Sequence, residues 1–288
     1  MVREQGLPYY ARWMTARADI TVRDALARGA YPHLTAVEAA RQRRSATVFV
    51  FGSGYSLNDL SPREWQHFAA HDVFGFSGFI YQQWIRVDFH LVRGWYEDVA
   101  GLTRSDSVEA YARRLRENPH FRDTVLLLQG DAGNLMSNAL VGRRLLSAGT
   151  RICRYRTARR LDDLPSDRWR DGLVHGPGTL GDVVNAAYLL GWRMIVLVGI
   201  DLYDSRYFWG PPDATLDFDA HGEYLEVRPT TDHGVAWNAH HNTTNRGIVP
   251  ILGAWARRFA DVGVQLLVYN PRSLLSDVLP VYRLPAVR

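Results

Sequence analysis

Five stretches of the 288-residue sequence carry residue types whose spacing could do chemistry. Gly52-Ser53-Gly54-Tyr55-Ser56-Leu57 directly follows an apolar run. Glycines after a strand let the backbone approach a ligand, and the N–H groups of such a turn favour a phosphate or the polar edge of a nucleotide. Leu57 stands where the third glycine of the dinucleotide fingerprint would be, and no Gly-Lys-Ser/Thr follows, so neither that fingerprint nor a P-loop is present. The alternative is a plain tight turn between strand and helix. His175-Gly176-Pro177-Gly178-Thr179-Leu180-Gly181-Asp182 sets glycines just before a helix. It reads either as an anion site at the helix N-terminus or as a flexible helix start with Thr179 as N-cap.

In Val198-Gly199-Ile200-Asp201-Leu202-Tyr203, Asp201 ends the clearest strand of the chain. A carboxylate there can meet a ribose or sugar hydroxyl, or can cap a turn. Tyr203 and Tyr207, four residues apart, can donate O–H bonds to a phosphate or can pack. His221, His233, His240 and His241 form a cluster in the sequence, and a histidine near its ordinary pKa is a natural general base for a hydroxyl. Their spacing with Asp217, Asp219 and Glu223 matches no zinc motif. Tyr269-Asn270-Pro271-Arg272-Ser273-Leu274-Leu275 follows the last strand, where Arg272 and Ser273 could close a nucleotide pocket.

The elements that must position these residues alternate along the chain. Residues 10–27 carry a mixed helical spacing among arginines, and Thr35-Ala36-Val37-Glu38 has capping-box spacing before a short helix. Strands are expected at Thr47–Phe51, Asp72–Phe76, Val87–Val92, Thr124–Gln129, Arg151–Tyr155, Arg193–Gly199 and Val264–Tyr269. Helices are expected near 62–70, 108–117, 135–148, 180–191 and 247–262. Strands alternating with helices predict an α/β fold with a Rossmann-like, doubly wound, mostly parallel sheet, whose ligands bind at the carboxyl ends of the strands. Residues 203–241 show no sustained period and read as a lid. The division expected is an N-terminal helical extension, 1–45, and a nucleotide-sugar-binding domain, 46–288.

Composition narrows the setting. Charged residues make up 22% and hydrophobic ones 47%, as in an ordinary globular protein with a sizeable core. The single cysteine, Cys153, excludes an intramolecular disulfide and reads as a buried thiol of a reducing compartment. The N-terminus has no apolar leader segment, and no apolar run approaches the ~20 residues that cross a bilayer, so a cytoplasmic location is expected, peripheral to the membrane if the arginine-rich N-terminal helices face it. Those helices read equally as an interface between copies of the chain, a homo-oligomer. The net charge of +4 suits an anionic small-molecule partner. With no lysine-rich run, RNA-binding aromatic signature or zinc finger, nucleic acid is not expected.

Taken in order, Phe51-Gly-Ser-Gly-Tyr-Ser-Leu57, Gly191-Trp-Arg-Met-Ile-Val-Leu-Val-Gly-Ile-Asp-Leu-Tyr203, His240-His-Asn-Thr-Thr-Asn245 and Asn270-Pro-Arg-Ser-Leu-Leu275 resemble glycosyltransferase family 42, the bacterial lipooligosaccharide sialyltransferases. They are similar too to the related domain of motility-associated proteins that glycosylate flagellin. The likeness runs from about Val48 to Leu275. It implies a modified GT-A fold and a metal-independent, inverting transfer of a sialic acid-like nonulosonic acid from a CMP-activated donor to a glycan or glycolipid hydroxyl, with no cofactor. By the resemblance, Gly52, Ser53, Gly54, Ser56, Asn270, Arg272 and Ser273 hold the cytidine nucleotide; Ser77, Gly178, Thr179 and Asp201 are added as binding candidates from their own positions. Tyr203 and Tyr207 hold the departing phosphate. His240, with His241 beside it, takes the place of the catalytic base.

The chain departs from the family in three places. Ser77 stands where the family has an asparagine after the second strand. An arginine called for near the Gly-Thr loop is not visible, and either His175 or nothing takes its place. The stretch from His240 to the last strand is several residues longer. Asp217-Phe218-Asp219 matches the Asp-x-Asp pattern of metal-dependent glycosyltransferases, but such triplets are common by chance and no strand is expected before it. Two other readings follow: a Mg²⁺-dependent pterin or nucleotide diphosphokinase, and a non-catalytic nucleotide-binding module of envelope-polysaccharide assembly.

Overall fold

The computed structural model describes residues 2–93, 105–131, 135–158, 163–203, 206–210, 214–218, 224–229, 244 and 247–285. Its centre is one open sheet of eight strands, all parallel, in the order β1-β6-β5-β4-β3-β2-β7-β10. The strands are β1 (His33–Leu34), β2 (Thr47–Phe51), β3 (Asp72–Phe76), β4 (Phe89–Val92), β5 (Val125–Gln129), β6 (Arg151–Tyr155), β7 (Met194–Val198) and β10 (Gln265–Val268). The central strands are mostly apolar because helices cover both faces, as a parallel sheet requires, with Asp72, His90 and Gln129 the polar exceptions in β3, β4 and β5. β8 (Ala214–Phe218) and β9 (Tyr224–Pro229) form a separate antiparallel pair within the stretch that the sequence reads as aperiodic.

Helices α1 (Val2–Ala27), α2 (Ala36–Ala40), α3 (Pro62–Ala69), α4 (Ser105–Glu117), α5 (Leu135–Gly142), α6 (Thr179–Leu190) and α7 (Ile248–Asp261) connect the strands. The capping box predicted at Thr35 forms with Glu38, and a second one forms at Ser61 with Glu64. α6 and α7 pack on one face through Leu180, Val183, Ala187, Leu252, Trp255 and Phe259. α3, α4 and α5 pack on the other through Trp65, Phe68, Ala112, Leu115 and Leu140.

Three local differences from the sequence reading have clear causes. α5 stops at Gly142 rather than near 148, because Arg144 turns left-handed (φ 54°) and the N–H groups of Arg144 and Leu145 close back on Val141 and Leu140. This is the Schellman arrangement that ends a helix. β1, too short to show a period, pairs with β6 at the sheet edge, so the N-terminal segment contributes a strand. At α6 the N-cap is Gly178, in extended conformation and with no side-chain cap, and Thr179 is the first helical residue. Cys153 is buried in β6, and burial pushes its thiol up to about 12, so it is inert. Among the described residues no helix is long and apolar enough to cross a membrane.

Candidate functional site

The chain leaves β2 toward the face of α3 and leaves β7 toward the face of α7, yet β2 and β7 are neighbours. This is the topological switch point, the place where open parallel sheets bind ligands. Three of the sequence motifs converge there: the glycine-rich turn after β2, the Gly-Ile-Asp segment after β7 and the Asn-Pro turn after β10.

The two central turns are fastened together beyond the strand ends. The Gly52 N–H donates to the Val198 carbonyl (2.9 Å) and the Gly54 N–H to the Gly199 carbonyl (2.8 Å). A Cβ at Gly52 would lie 2.7 Å from the Gly199 oxygen, and one at Gly54 2.5 Å from Asp201 Oδ2. Both positions need glycine because one protein loop crosses another there, and both amides are committed within the fold rather than left for a phosphate.

Asp201 is 3% exposed and joins all three loops. Its carboxylate accepts from the Ser56 N–H (2.9 Å), from Ser56 Oγ and from Asn270 Nδ2 (3.1 Å). The Asn270 amide also donates to Tyr203 Oη (3.3 Å), its oxygen accepts from the Arg272 N–H (3.0 Å), and Ser273 Oγ donates to the Ile200 carbonyl. Asp201 thus plays the turn-capping part, one of the two that its position allows. Buried Ser56, Asn270 and Ser273 shape the turn, and the more open Ser53, Gly54, Tyr203 and Tyr207 line its rim.

Arg272 is exposed, paired with Asp59 (2.9 Å), and sits over the Tyr203 ring at 5.9 Å. Residues 206–210 lie against the glycine-rich turn: Tyr207 bridges Gly54, the Phe208 N–H donates to the Ser53 carbonyl (3.2 Å), and Arg206 covers the Tyr55 ring at 4.1 Å. Trp209 fixes this segment. Its ring stacks on Tyr207 and on Tyr81, each at 4.7 Å, and fills the space above Gly78, where a Cβ would come within 2.0 Å of it. No sequence pattern pointed to Trp209 or Gly78, because their contact spans more than a hundred residues of chain.

Two non-glycine residues at these strand ends hold positive φ: Ser77 after β3 (50°) and Leu202 after β7 (60°). Such backbone costs of order 1 kcal/mol each and gathers at functional ends of folds. Thr244 Oγ1 donates to the Leu202 carbonyl (3.3 Å), which fastens the end of the His-His-Asn-Thr-Thr segment beside β7. His240 and His241 themselves lie outside the described residues, as do His221, His233 and Asp219.

The remaining site residues from the sequence, Gly178 and Thr179, open α6 on the neighbouring side of the row of strand ends. There Asp182 takes Arg93 Nη1 (2.7 Å) and His175 Nδ1 (2.6 Å) on one carboxylate oxygen. Arg93 immediately follows β4, far in sequence from the Gly-Thr loop. Among the described residues no three His, Cys, Asp or Glu side chains group as metal ligands.

A scan against models of known protein families finds no match to the chain, and a search of curated proteins finds none.

Proposed function

We propose that the chain is an inverting, metal-independent glycosyltransferase that moves a nonulosonic acid from a CMP-activated donor to a glycan or glycolipid hydroxyl. The observation that carries this reading is the junction of three loops on Asp201 at the switch point. It brings the glycine-rich turn, the two tyrosines and the Asn-Pro turn to one place, in the order in which the motifs resemble the sialyltransferase family. The nucleotide lies over the rim formed by Ser53, Gly54 and Ser77, with Arg272 at its edge. Tyr203 and Tyr207 donate O–H bonds to the phosphate as the bond to the sugar breaks. Such donors, held in place before the reaction, stabilise charge where it develops. The acceptor proton goes to a histidine, which the resemblance alone would make His240 or His241.

The test is thermal unfolding with CMP, CDP, UDP, GDP and ATP, each with and without Mg²⁺. CMP at about a hundred times its Kd is expected to add roughly 2.7 kcal/mol without metal. Stabilisation by ATP with Mg²⁺ alone would sink the transferase reading and favour a diphosphokinase.

A further inference from the structure

One buried carboxylate that the roles above leave unused lies at the carboxyl ends of the strands. Asp182, in the first turn of α6, is 0% exposed. Its Oδ2 accepts from Arg93 Nη1 at 2.7 Å and is 2.6 Å from His175 Nδ1, while its Oδ1 has no hydrogen-bond partner among the described residues. An ionised carboxylate only accepts, so in the neutral imidazole the His175 proton sits on Nδ1 and the lone pair on Nε2. Nε2 takes no partner among the described residues, and the ring is 30% exposed. An imidazole held at Nδ1 by a buried carboxylate, with Nε2 open, has the geometry of an oriented general base.

The position fits that role. Arg93 ends β4, and the body of α6 packs with the side chains of β2 and β7 in one core, so its first turn lies at the same edge of the sheet as the switch point. β4 is two strands from β2, which is roughly 10 Å along the row of strand ends. A nucleotide seated at β2 and β7 would reach toward His175 with the group beyond its phosphate.

We propose that His175, oriented by Asp182, is the general base of this crevice, in place of His240 and His241; the proposal rests on the transferase reading. Asp182 is a positioning residue, and Arg93 supplies its countercharge. In the step, His175 Nε2 takes the proton of the acceptor hydroxyl, whose oxygen forms the new bond to the anomeric carbon. The bond from that carbon to the phosphate oxygen breaks, its electron pair leaves on CMP, and the imidazolium later yields its proton to water.

The experiment combines CMP binding by calorimetry with the pH profile of CMP release from CMP-N-acetylneuraminic acid, for the wild type, His175→Gln, His175→Ala and Asp182→Asn. His175→Gln is expected to bind CMP as the wild type does and to release it roughly 10²- to 10⁴-fold more slowly, without the acidic limb of the wild-type profile. Added imidazole should restore part of the rate to His175→Ala, which a structural role would not allow. His175→Gln with the wild-type rate and profile overturns the proposal, whatever Asp182→Asn does to folding. A wild type that binds CMP but releases none from the CMP-sugar overturns it too, since no proton transfer is left to perform. A wild type that binds no CMP sinks the transferase reading itself.

Discussion

Asp201 shows how a residue marked by its position as a ligand contact also serves the fold. Its carboxylate neutralises the buried donors of Ser56 and Asn270 from two other loops, and an unmet buried donor costs ~1–3 kcal/mol. Asp201→Asn is expected to lower stability by about that amount in a denaturant melt and to weaken CMP binding, because the rim loses its support. His90 makes a different prediction. It is fully buried in β4 with Nε2 2.9 Å from Tyr111 Oη, and burial depresses its pKa from 6.5 to about 3. Below pH ~6.5 the unfolded chain therefore binds a proton that the native state refuses. Stability should fall as pH drops from 6.5 toward 3, by up to ~1.4 kcal/mol per pH unit from this group. His90→Gln should flatten that slope in pH-dependent unfolding; an unchanged slope would show that other groups control it.

At the scale of elements, close backbone approach decides two packings. α1 crosses α5 at Gly142, where a Cβ would lie 2.8 Å from the Asp24 nitrogen, and the buried Asp24 carboxylate pairs there with Arg154 of β6. Gly142→Ala must push α1 outward and should cost ~1–3 kcal/mol by thermal unfolding, as overpacking does. Trp209 over Gly78 is the equivalent at the crevice. Gly78→Ala is expected to unseat Trp209, seen as a shift in tryptophan emission, and to weaken CMP binding roughly tenfold, about 1.4 kcal/mol, through Tyr207. If emission shifts while affinity holds, Tyr207 does not touch the nucleotide.

Across the whole molecule, the two ends of the sheet divide the labour. At the amino ends, Arg44 binds Asp88 through Nε (3.1 Å) and Nη2 (2.8 Å), while Asp72 accepts from the N–H groups of Arg44 and Ser45 and from Trp192 Nε1 (2.8 Å). This network locks β2, β3 and β4 to the turn before β7, and every partner is internal. Asp72→Asn should therefore lower stability by a few kcal/mol, as breaking a buried charged network does, and leave CMP affinity unchanged in the folded fraction. At the carboxyl ends lie the positive-φ residues Ser77 and Leu202, the half-buried Tyr203 and Tyr207, and the His175–Asp182 pair.

The sequence by itself determined the alternating elements, the parallel sheet and the end of it that carries the polar motifs. Uninterrupted runs such as Thr47–Phe51 and Met194–Val198 can be buried only between two layers of helices, and a turn of Gly52 and Gly54 can follow such a strand only at its carboxyl end. Capping at Thr35 was legible because its partner Glu38 is local, and the buried thiol of Cys153 because it lies in a strand-like run. What only the tertiary structure decided are contacts between distant segments. Spacing does not tell a carboxylate that braces loops from one that binds sugar, so the role of Asp201 waited for Ser56 and Asn270 to be placed around it. Arg93 and His175 likewise meet only through Asp182, which Arg93 reaches across more than eighty residues because β4 and the first turn of α6 lie at the same edge of the sheet.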